Sequence, residues 1–460
     1  MTAAQPSRLQ FGAFVMNTGS HMQHGLWRHP EAKQHTFDDV NLWVDLAKTL
    51  ERGRFDTIFF ADVVGVYGGA GASFDVNARE GMQLPSNDPS MLLSALAIST
   101  EHLGLAFTSS ILQEHPFTFA RKISTIDHAS GGRVGWNIVT SFLENAARNY
   151  GLDRLVEHDE RYAWAEEYVA VVGKLWEGSW DDGALLADKA SGVFADPTKV
   201  HRIDHVGERY RVEGPHLSSP SPQRSPLLFQ AGSSGAGKAF AANYAEVQFM
   251  MAPSIEAARA SAESTRALVA ETGRDPRDVK FWQAMSFIVG STEEEAKRIE
   301  AEYDELLSAD AFLAHSNLGT DQATGKPIDP DTPLKDVETQ GGHSMLEALQ
   351  ALSPDREPTV RDLAKLTAKL RGRVVGTPEQ IADHLAEWRA AGIDGINVAN
   401  WMIPHSYEVF VDEVMPVLQE RGLAQREYAP GTLREKLFGA ESTLPETHPL
   451  RAYRGAFAGR

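Results

Sequence analysis

Residues 103–139 read LGLAFTSSILQEHPFTFARKISTIDHASGGRVGWNIV. The run 103–111 is short and largely apolar, the mark of a strand buried on both faces. Residues 117–129 read as the helix that follows it, and Gly131-Gly132 stops that helix. Residues 133–139 then make a second strand. A strand, a helix and another strand in this order form a right-handed crossover between parallel neighbours.

The same alternation runs outward in both directions. Upstream lie predicted strands over 9–15 and 57–61, each followed by a helical stretch. Val40, Trp43, Leu46, Ala47 and Leu50 share one face of the first of these helices, which ends at Gly53. Downstream, a long helix over about 157–176 is followed by strands over 227–231, 246–251, 279–289 and 395–400, with helices between and after them. Eight such repeats favour a closed parallel (β/α)8 TIM barrel over an open sheet, an α/β fold.

Two segments interrupt the rhythm. Residues 177–226, after strand 4, are rich in Asp, Gly, Pro and Ser, and 308–373, after strand 7, include a polar stretch at 319–333. Long irregular segments inside a compact domain read as lids or insertions. The expected organisation is one catalytic barrel over 1–422 carrying both insertions, then a C-terminal arm over 423–460.

Composition narrows the class. The 460 residues hold no cysteine, and 44 Lys+Arg against 63 Asp+Glu give a net charge of −19. Disulfides, thiolate metal sites and a cysteine nucleophile are thereby excluded. The acidic balance disfavours nucleic acid and anionic membranes as partners. No apolar run reaches the ~18–20 residues of a membrane-spanning helix. A cytoplasmic protein is expected.

In such barrels the chemistry sits at the carboxyl ends of the strands. There the sequence places Asn17, Thr18, His21 and His24, then Asp62, Tyr67, Gln83 and Asn87. Thr108, Ser109, Ser110, Glu114 and His115 follow strand 3, and Asn137, Thr140 and Ser141 follow strand 4. Gly232, Ser233 and Ser234 follow strand 5; Asn400 and Trp401 end the last. The small residues of 230–237 suit either an anion at a helix N-terminus or an ordinary capped turn. His158 and Tyr162 share one face of a helix's first turn, where they suit a phosphate or simply a surface and a core position. His21, His24, His29, His115, Asp62 and Asp88 keep a metal as an alternative, although HExxH is absent. GxGxxG, the Walker motif and GxSxG are also missing, so neither a bound dinucleotide nor a serine esterase has motif support.

Five motifs in order carry a resemblance. They are Met16-Asn-Thr-Gly-Ser-His-Met-Gln-His-Gly-Leu-Trp-Arg-His-Pro30, Phe60-Ala-Asp-Val-Val-Gly-Val-Tyr67, Gly132-Arg-Val-Gly-Trp-Asn-Ile-Val-Thr-Ser141, His158-Asp-Glu-Arg-Tyr162 and Leu175-Trp-Glu-Gly-Ser-Trp180. The chain thus resembles the bacterial-luciferase-like flavin-dependent monooxygenases, in the branch of nitrilotriacetate monooxygenase component A and dibenzothiophene-sulfone monooxygenase. Within it the motifs are most similar to those of long-chain alkane and dimethyl sulfide monooxygenases.

The resemblance implies a two-component enzyme using reduced FMN and O2 through a C4a-peroxyflavin, with the flavin supplied by a separate NAD(P)H:flavin reductase. It implies Asp62, Thr108 and Ser141 beside the flavin ring and His158, Tyr162 and Ser234 at its phosphate. It implies His21, Tyr67, Gln83 and His315 around the reaction cavity, with His21 a donor titrating near neutrality and His315 arriving on a lid. The substrate is expected to be a small organosulfur, alkane-like or xenobiotic molecule, no resident metal is expected, and the assembly is expected to be a homodimer or homotetramer. Thr18 and Phe142 depart from the alkane branch, which has cysteine and histidine there, and make the pocket more apolar. A flavin-binding barrel without oxygenase turnover and a metal-dependent barrel hydrolase are the competing expectations.

Overall fold

The computed structural model describes residues 8–67, 73–232, 234–316, 328–336, 357–370, 372–399 and 401–459. Eight parallel strands close on themselves: β1 Gln10–Met16, β2 Thr57–Ala61, β3 Gly104–Ser110, β4 Val134–Val139, β5 Leu227–Gln230, β6 Val247–Met250, β7 Lys280–Val289 and β8 Gly395–Val398. β1 pairs with β2 on one side and with β8 on the other, which shuts the ring. The expected (β/α)8 barrel is the observed one. Ile58, Leu105, Phe107, Val134, Leu228 and Ile396 are all buried, because helices cover the outer face while side chains fill the interior.

Strand edges agree with the sequence reading to within about two residues, as hydrogen-bonded boundaries commonly do. Helix α1, Pro116–Ser130, starts one residue early because Pro116 fits its first turn and the His115 ring accepts from Phe117 N. It stops at Gly131, whose φ of 66° reverses the chain as a left-handed cap. Helix α2, His158–Gly173, ends in a widened turn over Lys174–Gly178. Gly178 there lies against the Phe457 ring, where a Cβ would clash.

The described residues of the two insertions are more ordered than a polar composition suggests. Residues 177–226 form two small hairpins, Leu185–Asp188 with Val193–Ala195 and His205–Val206 with Arg211–Val212. The second segment ends in a strand, Arg373–Gly376, that extends the sheet along the upper half of β7. Before it lie helix α3, Ala309–Ser316, and a helix over Val360–Leu370, which share a small core around Phe312, Leu313, Val360 and Leu363. Much of 319–333 lies outside the described residues, as do Ser233 and Asn400.

The C-terminal segment closes the opposite end of the barrel. Leu433 and Leu437, on helix α4 Leu433–Phe438, join the interior cluster of Phe59, Phe229, Val247 and Trp282. Arg434 is buried, bonded to Glu246 at 2.6 and 2.9 Å and to the carbonyls of Ser225 and Pro226. Residues expected as an arm therefore plug the amino-terminal mouth of their own barrel. The carboxyl-end rim is left open for chemistry. Among the described residues no helix is long and apolar enough to cross a membrane.

Candidate active site

An opening of about 290 Å³ lies against the ends of β2 to β5. Asp62, Ser110, Gln113, Ser141, Phe142, His158, Arg161, Tyr162 and Gly232 line it. One corner is built for an anion. Helix α2 begins at His158, and helix α5, Gly235–Tyr244, points its N-terminus into the same corner. Ser234 caps α5 by accepting from Gly237 N at 3.1 Å and bonds His158 Nε2 at 3.1 Å. A Cβ on Gly232 or Gly237 would sit 2.8 Å from the Tyr162 hydroxyl. Those two glycines let that hydroxyl approach the helix end, where free N–H groups and the dipole favour negative charge.

Arg161 completes the corner. Its Nη1 donates to Val156 O at 2.6 Å, but its Nε is buried without a partner. Burial pulls the guanidinium below its ordinary pKa, against the pull of Tyr162 and Glu157. A cation held so, with one donor unsatisfied, awaits an acceptor.

Along the cavity wall, Gln113 Nε2 donates to Asp62 Oδ2 at 3.1 Å, and its Oε1 accepts from Ser110 N. Ser110 and Ser141 share a hydroxyl bond of 2.8 Å, with Ser141 at φ 58°. Burial, then the nearby Asp88, push the Asp62 carboxyl up to about 7. Asn137 donates to the Thr108 hydroxyl at 2.9 Å; both are buried inside the barrel rather than on this wall.

That shift has a consequence for stability. Asp62 releases its proton near 3.8 in the unfolded chain but near 7 in the fold. Between those values the native state holds a proton that the unfolded state has lost, so stability falls as pH rises and levels off above 7. Asp62→Asn in the flavin-free chain is expected to raise Tm at pH 8 by roughly 1–3 °C, with little change at pH 4. Scanning calorimetry at the two pH values checks this, and an equal shift at both would show that ionisation is not the cause.

A second group gathers at the mouth. His315, on α3, bonds His24 through Nδ1 at 2.9 Å, lies 3.4 Å from Gln83 Nε2, and meets the Tyr67 ring edge-on at 4.6 Å. Tyr67 in turn touches Phe142, which stands 55 % exposed at the cavity lip. Gln83 holds φ 51°, and its Oε1 is buried without a partner. His21 packs on the Phe14 ring at 4.8 Å. Here the sequence reading needs correction: burial, then the neighbouring His315, pull His21 down to about 3 rather than leaving it near neutrality. Thr18 donates its hydroxyl to Pro85 O at 2.7 Å, so that group is already engaged.

The fold thus brings His158, Tyr162 and Ser234 together in one corner. It gathers His21, Tyr67, Gln83 and His315 at the mouth, and puts Asp62 and Ser141 on the wall between. Sequence reasoning passed over Gln113 and Arg161. Arg161 lay inside a quoted motif, but nothing in the string shows which way its side chain turns. The residues weighed for a metal are dispersed. His29 faces Glu302, His115 caps α1 and His24 bonds Ser20. Among the described residues no three His, Asp or Glu converge to hold an ion.

A second opening, about 150 Å³ and against the ends of β6 to β8, is lined by Met22, Met251, Ala252, Pro253, Met285 and Phe312, with Ser286 and Gln283 among its few polar groups. None of its lining residues is charged.

The luciferase-like monooxygenase family profile matches residues 11–395. The dimethyl-sulfide monooxygenase of Hyphomicrobium sulfonivorans is 42 % identical, over 98 % of this chain and 95 % of that one. The long-chain alkane monooxygenase of Geobacillus thermodenitrificans is 40 % identical, over 97 % and 98 %. The crystal structure of DmoA from Hyphomicrobium sulfonivorans superposes with a TM-score of 0.91 at 41 % identity, over 99 % of this chain and 97 % of that one. With a matching barrel, a matching profile and relatives aligned end to end, this chain belongs to the luciferase-like monooxygenase family and is a flavin-dependent monooxygenase.

Proposed function

We propose that the chain is the oxygenase component of a two-component system. It takes reduced FMN from a separate NAD(P)H:flavin reductase and, with O2, oxygenates a small uncharged organosulfur, alkane-like or xenobiotic molecule. The observation that carries this reading is an anion corner with an unsatisfied Arg161 donor on the same rim as a charge-free, methionine-lined opening. Reduced FMN, when bound, supplies the electrons for oxygen activation. Arg161, Tyr162, His158 and Ser234 hold its phosphate, and Asp62 and Ser141 serve the ring end. Helix α3 covers the mouth and keeps water from the reacting centre. His21, neutral by burial, donates a hydrogen bond there, while Tyr67, Gln83 and His315 orient the reactants.

The substrate class follows from the second, methionine-lined opening. Gln23 and Ser286 supply neutral dipoles, and Gln283 is already bonded to both the N–H and the carbonyl of Ala252. A poly-carboxylate buried here would meet sulfur and carbon with no cation to offset its desolvation. The reading includes residues 1–422 as one catalytic barrel, and a homodimer or homotetramer in the cytoplasm.

Mixing the protein and photoreduced FMN with 18O2 and a panel of sulfides, sulfones, n-alkanes and nitrilotriacetate tests it. One labelled oxygen atom in an uncharged member, and none in nitrilotriacetate, is expected. Reduced-FMN binding without any labelled product would favour a flavin-binding barrel without oxygenase turnover. Zinc-dependent hydrolysis without flavin binding would favour the hydrolase.

A further inference from the structure

Among the described residues that line the methionine-rich opening, one buried side-chain polar atom lacks a partner. It is the hydroxyl of Ser286, a residue of β7 that is 2 % exposed. Its backbone is engaged, since Ser286 N donates to Gly372 O at 2.9 Å where the strand Arg373–Gly376 joins β7. The pleat of β7 sets the direction of the side chain. Phe281 and Phe287 pack into the outer cluster, whereas Trp282 packs into the barrel interior. Ser286 stands four residues on from Trp282, on the same face of the strand, so its hydroxyl turns inward at the rim.

The other polar groups of this opening are accounted for. Gln283 Nε2 donates to the carbonyls of Ala252 and Ala284, both at 3.1 Å, and its Oε1 accepts from Ala252 N at 3.0 Å. Gln23 is half-buried, so water reaches it. The rest of the wall is thioether and hydrocarbon, from Met22, Met251, Met285 and Phe312. A buried hydroxyl without a partner is costly, and both its proton and its lone pairs are free to bond. A hydrocarbon ligand would leave that cost in place and shut water out. A ligand with one uncharged oxygen at its inner end would remove it. An ionised oxygen would find no cation there to offset its desolvation.

We propose that Ser286 is a specificity-determining residue. It selects an apolar molecule carrying one uncharged hydrogen-bonding oxygen, such as a sulfoxide, sulfone, ketone or alcohol, over the matching sulfide or hydrocarbon. The inference rests on the substrate reading of this opening and narrows it. The selection is measurable without flavin or turnover.

Protein labelled with 13C-methyl methionine reports on the opening directly. The signals of Met22, Met251 and Met285 are assigned by their loss in the single leucine variants. Two pairs serve as probes: cyclohexanone with methylenecyclohexane, and methyl phenyl sulfoxide with methyl phenyl sulfide. Each probe is titrated until these signals stop moving, and the ratio of the two affinities is taken within each pair. Ser286→Ala is expected to shift that ratio about five- to tenfold toward the oxygen-free member, by weakening only the oxygen-bearing one. Ser286→Thr keeps the hydroxyl and should hold the ratio within about twofold of the wild type. A ratio unchanged by Ser286→Ala would overturn the proposal, as would probes that leave the three methionine signals in place.

The oxygenase reading is decided separately, by 18O2 turnover on the same sulfoxide and sulfide. Labelled product whose kcat/KM ratio for the pair ignores Ser286→Ala would keep that reading and remove Ser286 from selection. An affinity ratio that moves with Ser286, in protein that labels no substrate, would keep the selection and end the oxygenase reading.

Discussion

Replacing Arg161 by alanine is expected to weaken FMN binding about 10- to 100-fold and to leave riboflavin binding unchanged. The reasoning starts from the side chain's position one turn into α2, with Nη1 tied to Val156 O and Nε buried without a partner. A charge-assisted hydrogen bond to a phosphate contributes about 1.5–3 kcal/mol, more than a neutral donor can. Tyr162→Phe and Ser234→Ala should cost nearer 1 kcal/mol each, since each removes one neutral hydroxyl. Part of the Ser234 loss would also come from the cap it provides to Gly237 N. Riboflavin lacks the phosphate, so it serves as the internal control. Titrating wild type and variant with both flavins, by fluorescence or calorimetry, checks the expectation. An equal loss for FMN and riboflavin would place Arg161 outside the phosphate site.

This corner shows where sequence reading stops. The pair His158 and Tyr162 was legible because residues four apart share a helix face, and α2 indeed begins at His158. The turn at 230–237 was legible because small residues there leave room for a backbone approach, and α5 does start at Gly235. Which donors lack partners was not legible. The orphaned Nε of Arg161 depends on how α2 lies against β4 and β5, and no local pattern encodes that.

The same division runs through the fold. Eight apolar strands announced the barrel because each is buried on both faces and bounded by turn residues. Its closed floor was hidden. Leu433 and Leu437 sit in a Pro- and Gly-bearing tail, yet they enter the interior beside Phe59 and Trp282, nearly the whole chain length from β1. Gln10 reaching Leu437 O spans 427 residues, and such pairings leave no periodic trace. The second insertion misled by composition alone. His315 lies on a short apolar helix, Ala309–Ser316, whose Ala311 packs with Tyr67 and Leu143 above the mouth. A residue expected to arrive on a lid is therefore placed at the centre of the polar cluster.

Replacing His21 by alanine is expected to lower product per reduced FMN consumed about 100-fold, with hydrogen peroxide rising to match and FMN affinity unchanged. The ring lies on Phe14, away from the anion corner, so its loss leaves the phosphate contacts intact. Its burial carries a second expectation. A histidine held at about 3 stays neutral across working pH, so it can donate a hydrogen bond but contributes no limb to the pH profile. A limb near 7 should instead come from Asp62, protonated below that value and a carboxylate above it. Asp62→Asn should erase this limb while His21→Ala leaves it in place, and His21→Asn should recover part of the coupling by restoring a neutral donor. A limb near neutrality that vanished with His21 and survived in Asp62→Asn would reverse the two assignments, returning His21 to the role of a titrating acid that its position in the sequence suggests.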